Sequence, residues 1–127
     1  RGLQRVRTPK PLGWRAFQRY RDRQRMHISL TPMRDTPFNA GKTYIKFLDN
    51  AAMGSVGLYS ARSPYREIVS QGEDGLLVED TPEAWRSAMQ QLIDDPVGAR
   101  RMAQNAARKA LDIGNPEKAR AFWWVRR

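Results

Sequence analysis

The chain has 127 residues, 23 Lys or Arg against 13 Asp or Glu, one histidine and no cysteine, for a formal net charge of +10. That length holds one domain with a modest core. Lack of cysteine excludes a disulfide framework and thiolate metal sites, and a lone histidine, His27, argues against a histidine-rich metal centre or a Ser-His-Asp triad. No apolar run approaches the length of a bilayer span, and no signal-peptide pattern opens the chain. The charge is unevenly placed: residues 1–26 carry nine basic groups against Asp22, residues 27–115 ten against eleven acids, and residues 116–127 four against Glu117. A near-neutral centre with basic flanks fits contact with a further domain, an anionic membrane surface or nucleic acid.

In chain order, Thr8-Pro9-Lys10-Pro11-Leu12-Gly13 is a breaker cluster, so residues 1–13 read as a basic extended lead-in. Trp14 to Arg25 places aromatics at 14, 17 and 20 with arginines between, an amphipathic helix. Those aromatics could stack on bases; their spacing favours a stripe facing the core. His27 to Pro32 alternates polar and apolar and reads as a strand, with His27 expected as a packing residue rather than a base. A helix is expected over approximately residues 41–53, stopped by Gly54. Ser55 to Ser60 reads as a second strand. Ser63-Pro64 supplies an N-cap and an N1 proline for a short helix through Val69. Gly72 and Gly75 bracket a turn before a third strand, Leu76 to Glu79. Thr81-Pro82 caps a helix with Trp85, Met89, Leu92 and Ile93, and Asp95-Pro96 separates it from another carrying Met102, Ala106 and Leu111. Asn115-Pro116 begins a last helix ending in Phe122-Trp123-Trp124-Val125.

The fold class expected from this alternation is α/β, a Rossmann-like parallel sheet with flanking helices over residues 14–114, followed by a C-terminal helix over 115–127. Three strands make a thin sheet, and the chain starts at Arg1 rather than Met, so further N-terminal strands are expected. In such sheets ligands bind beyond the carboxyl ends of the strands, here loops 31–41, 60–64 and 79–82. The segment Asp35 to Gly54 begins at the first of these. At 100° per residue Lys42, Lys46 and Asp49 share one stripe beside the apolar positions Ile45, Leu48 and Ala52. Two cations and a carboxylate near a helix start suit a phosphate-bearing, hydroxyl-rich ligand. The plainer reading is a Lys46–Asp49 ion pair with Lys42 solvated. Asp35 is expected to cap its Asp-Thr-Pro turn rather than to act in acid catalysis.

The order of features resembles the C-terminal, donor-binding half of a GT-B glycosyltransferase of the large family often called group 1. The resemblance rests on Thr31-Pro32, Asp35-Thr-Pro-Phe-Asn39, Lys42, Ile45-Lys-Phe-Leu-Asp49 and Ala51-Ala-Met-Gly54. Downstream, Pro64-Tyr-Arg-Glu67, Gly72, Gly75-Leu-Leu-Val78, Trp85 and Asp94-Asp-Pro96 to Arg100-Arg101 are similar to the family's later blocks, covering residues 15–112. It implies transfer of a sugar from a nucleotide-sugar donor to a glycan or lipid-linked acceptor, in bacterial surface polysaccharide synthesis. Many members carry two glutamates eight positions apart, the second on the donor's ribose and the first on its sugar. Asp49 falls at the second position and Gly41, without a side chain, at the first; Asn39 and Lys42 stand as in some relatives. The implied donor site is Asn39, Gly41, Lys42, Lys46, Asp49, Tyr65 and Glu67, with Lys42 and Lys46 on phosphates. For Glu67, a place near the donor and simple balancing of a helix dipole both stay open.

The resemblance also implies that the Arg/Lys pair for the diphosphate, the acceptor site and any catalytic base lie in parts preceding this chain, so that the fragment alone is inactive. No metal or other cofactor is implied, because the donor is a substrate and cations or amides can stabilise the leaving diphosphate. The implied partners are the nucleotide-sugar, the acceptor and the N-terminal domain of the same protein. The last helix, with Trp123-Trp124, would cross to that domain; its other reading is anchoring at a membrane interface with Arg126 and Arg127. The expected location is cytoplasmic, with peripheral contact at the inner face of the plasma membrane admitted. The competing functions are a small basic nucleic-acid-binding module using residues 1–25 and the C-terminal tail, and a non-catalytic remnant of the fold.

Overall fold

Between successive strands of the described residues a helical segment or turn returns the chain to the same end of the sheet, so the strands run parallel. The computed structural model describes residues 5–118 and 120. Its elements are α1 (Trp14–Arg23), β1 (Ile28–Thr31), α2 (Pro37–Ala40), α3 (Ile45–Ala52), β2 (Val56–Ser60), a 3-10 turn (Tyr65–Glu67), β3 (Leu76–Val78), α4 (Pro82–Asp94) and α5 (Pro96–Ile113). The three strands form one sheet in the order β1-β2-β3, both pairings parallel. Leu30 lies opposite Leu58, and Leu58 opposite Leu76. The molecule is therefore an α/β domain with a parallel sheet flanked by helices.

The period-2 alternation of β2 sorts its side chains between two cores. Val56 and Leu58 join Leu76 and Val78 of β3 against Leu92 of α4 and Met102 and Ala103 of α5. On the opposite face Tyr59 packs with Phe47 and Ala51 of α3, Tyr65, Val69 and Ala106. Full burial of a side chain such as Leu58 stabilises by about 1.5–3 kcal/mol, and these two layers carry most of that gain. Gly57 is required on the Tyr59 face: a β-carbon there would overlap the Tyr59 ring, which folds back across it. The Tyr59 hydroxyl accepts a hydrogen bond from Asn50 Nδ2 at 3.1 Å, and the same amide donates to Thr31 Oγ1 at 3.1 Å. That buried amide joins β1, β2 and α3.

Helix starts follow local chemistry. Thr81 Oγ1 accepts from the Ala84 amide at 3.1 Å ahead of Pro82, and Asp95 Oδ1 accepts from the Gly98 amide at 2.9 Å ahead of Pro96. The same device operates at Thr36, whose Oγ1 accepts from the Asn39 amide at 3.2 Å. It starts α2, a separate turn that the expected 41–53 helix does not contain. Lys42 consequently lies between α2 and α3 rather than on α3. The expected helix after Ser63-Pro64 is a single 3-10 turn.

Helix α1 differs from the core-facing stripe its aromatics suggest. None of its residues is buried; Phe17 and Tyr20 are half-buried and Trp14 is exposed. Phe47 and Ala51 of α3 and Ala106 of α5 already fill the core on this face, so α1 packs on the outside of α3. His27 is exposed, not a packing residue, although its carbonyl accepts from the Val56 amide at 3.1 Å. The Phe122-Trp123-Trp124-Val125 segment and residues 1–4 lie outside the described residues. Among the described residues no helix is long and apolar enough to cross a membrane.

Candidate functional site

The carboxyl ends of β1 and β2 open into a cleft of about 470 Å³. One wall is Thr31, Pro32, Met33 and Arg34, which leave β1; the Met33 amide donates to Ser60 Oγ at 2.7 Å and so ties this loop to the end of β2. Asn39, Lys42 and Thr43 form the second wall, and Ile45, Lys46 and Tyr65 complete it. Asn39 Nδ2 donates to the Arg34 carbonyl at 2.9 Å, fixing the α2 turn against the Arg34 loop.

Three cations, Arg34, Lys42 and Lys46, therefore converge on one cavity. Lys42 Nζ rests 5.0 Å from the Phe38 ring centroid, and Lys46 Nζ lies 5.9 Å from the Phe17 centroid and 3.8 Å from Asp49 Oδ2. The first turn of α3 faces the same space; its N-cap, Tyr44, makes no side-chain cap, and the Phe47 amide donates to the Tyr44 carbonyl at 2.9 Å. A helix start without a side-chain cap, beside lysines, forms an anion-favouring environment. Tyr65 contributes a buried ring, 4.8 Å from that of Tyr59, and burial pushes its phenol above the ordinary tyrosine value.

Asn39, Lys42, Lys46 and Tyr65 thus line one cleft. Gly41 is exposed at the end of α2 and outside the lining, and a side chain there would meet little beyond the Phe38 carbonyl. Glu67 is exposed and also outside it. Asp49 is buried and turned to α1: its Oδ1 accepts from Arg21 Nη1 at 3.0 Å. Hydrogen bonds to Asp49, then to Asp22, hold the Arg21 guanidinium above its ordinary range. A carboxylate buried this deeply needs a cation, and Arg21 supplies it across 28 residues of sequence. The Lys46–Asp49 contact of the plainer reading is present beside it at 3.8 Å.

A second charged cluster joins all three strand ends. Arg62, just beyond β2, pairs with Asp35 at 3.2 Å and with Asp80 beyond β3. Its Nε is buried without a hydrogen-bond partner among the described residues. Asp35 is accordingly an ion-pair partner rather than the turn cap, the role taken by Thr36. Arg34 and Arg62 were both readable as candidates, since each follows a strand's carboxyl end within a few residues. A further groove of about 520 Å³ lies at the opposite, amino end of β1, where Met26, Ile28, Leu92 and Ala103 form hydrocarbon walls between Arg25 and Arg100. Topology and charge both favour the cleft at the carboxyl ends.

Comparison with protein-family models gives no match for this chain. Comparison with curated proteins gives none either.

Proposed function

We propose that this chain is the donor-binding domain of a glycosyltransferase, with the parallel sheet forming part of the C-terminal domain of a GT-B fold. The observation that carries the reading is the convergence of Arg34, Lys42 and Lys46 on a cleft at the carboxyl ends of β1 and β2. A nucleotide-sugar meets that cleft through its diphosphate, for which the cations and the uncapped start of α3 are suited. Charge developing on the leaving diphosphate would be stabilised by these same groups. The Asn39 side chain and the α2 turn stand where donor-sugar hydroxyls can be contacted.

A ribose contact by Asp49 demands more. Sugar hydroxyls reach that carboxylate only by taking the place of Arg21, held at 3.0 Å. The reading assigns binding roles and no catalytic base; acceptor and base would come from the other domain of such an enzyme. Titration calorimetry of the chain with the nucleoside diphosphates and their sugar derivatives tests it. The reading expects one base to be preferred and its sugar derivative to compete for the same site. Binding of every polyphosphate alike, with no base preference, would leave only a general anion site.

A further inference from the structure

We infer that α1 and the segment leading into it form a basic, apolar-edged surface that lays this domain on an anionic lipid bilayer. The charge is local. Residues 5–25 carry eight Lys or Arg against Asp22 alone, whereas residues 27–115 carry ten against eleven acids. Within α1, Arg15, Arg19 and Arg23 recur every four residues and all are exposed. Four residues advance a helix by about 6 Å, so the three guanidinium groups form one ridge. Phe17, Tyr20 and Arg21 occupy the inward side, and the Arg21–Asp49 pair fixes which way the ridge points.

The lead-in belongs to the same surface. A cavity of about 700 Å³ has Arg7, Thr8 and Pro9 on one side and Tyr20, Gln24 and Met26 on the other, so the segment runs back alongside α1. Between its exposed cations stand exposed hydrocarbons, Val6 at 60 % and Leu12 at 46 %; the Trp14 ring instead leans on the inward side of α1, 6.1 Å from that of Phe17. This interleaving selects the occupant. A nucleic-acid backbone satisfies the arginines and offers Val6 and Leu12 nothing, since aliphatic side chains neither stack on bases nor pair with phosphates. A bilayer takes both, with guanidinium groups among anionic headgroups and Leu12 and Val6 at the acyl boundary. Nothing in the inference depends on the nucleotide-sugar reading.

Vesicle flotation of the 127-residue chain, on phosphatidylcholine alone and on phosphatidylcholine with about a third phosphatidylglycerol, tests it. Binding is expected on the anionic vesicles alone and to weaken with salt. R15Q/R19Q/R23Q should lower that binding by roughly a hundredfold, from the contribution of each basic side chain near an anionic surface. R86Q/R101Q/R108Q removes the same charge from exposed positions elsewhere and should stay close to the parent. V6S/L12S should weaken vesicle binding and leave any binding to duplex DNA unchanged. All substituted positions are exposed, and circular dichroism of each variant checks that the fold persists. Equal losses from the two arginine triples, or no loss from V6S/L12S, would overturn the inference; DNA binding tighter than vesicle binding would make the surface a nucleic-acid interface instead.

Discussion

Exchanging Asp49 for asparagine removes the charge from a carboxylate whose side chain is 9 % exposed and whose partner, Arg21, is 21 % exposed. Charge-assisted hydrogen bonds of this kind contribute about 1.5–3 kcal/mol, and leaving Arg21 half-buried without its anion adds to the loss. Asp49→Asn should therefore cost roughly 2 kcal/mol, far above the fraction of a kcal/mol expected for Asp35→Asn, whose side chain is 91 % exposed. Over an unfolding entropy of about 2.1 cal/mol/K per residue, that loss lowers the melting temperature by about 7 °C. Urea unfolding of Asp49→Asn, Arg21→Met and the double variant gives the coupling directly. The pair predicts a coupling of about 1.5 kcal/mol or more. A coupling under about 0.5 kcal/mol would refute the reasoning, because Arg21 would then be a surface cation that happens to lie close.

Gly57→Ala places a methyl group inside the Tyr59 ring and should destabilise by more than about 3 kcal/mol in the same urea assay, or prevent folding. Burial holds the Tyr59 phenol neutral well above its ordinary value, while the Asn50 hydrogen bond works the other way. The unfolded chain releases that proton from about pH 10 and the folded chain keeps it, so stability is intact below pH 10 and falls above it. Tyr59→Phe should flatten this alkaline decline when unfolding is followed from pH 9 to 11.5; an unchanged slope would remove Tyr59 as its source. Thr81→Ala should cost about 1 kcal/mol by freeing the Ala84 amide at the start of α4, measured by thermal unfolding.

Much of the fold was readable because local signals agreed with tertiary demand. Val56–Ser60 is buried along its whole length between two cores, whereas the alternation in Ile28–Thr31 located a strand whose apolar Leu30 is 51 % exposed; the Thr-Pro and Asp-Pro starts of α4 and α5 are self-contained in a few residues. Thr36-Pro37 carries the same signal as Thr81-Pro82, yet the asparagine and glycine that follow made it read as a loop. Missing α2 put Lys42 on the wrong element, although the cleft still gathers it with Lys46. Periodicity sets Phe17 and Tyr20 on one face of α1 but cannot show that the core is already closed beneath it. Least readable was the Arg21–Asp49 pair. Helical spacing offers Lys46 as the partner, and only the packing of α1 on α3 brings in a cation from 28 residues away. Arg34 and Arg62 lie in the loops 31–41 and 60–64 expected at strand ends, but only the fold shows that Arg34 lines the cleft and that Arg62 pairs with Asp35 and Asp80.

The central claim is that the anion-binding cleft lies between the β1 carboxyl end and the start of α3. Backbone amide resonances of the isotope-labelled chain, followed while a nucleoside diphosphate is added, locate its site most directly. The account predicts saturable shifts concentrated at residues 31–34, 42–46 and Tyr65, reduced about tenfold in affinity by Lys46→Ala. Shifts concentrated instead on Arg15, Arg19 and Arg23 of α1, or around Arg25 and Arg100 at the amino end of β1, would contradict it.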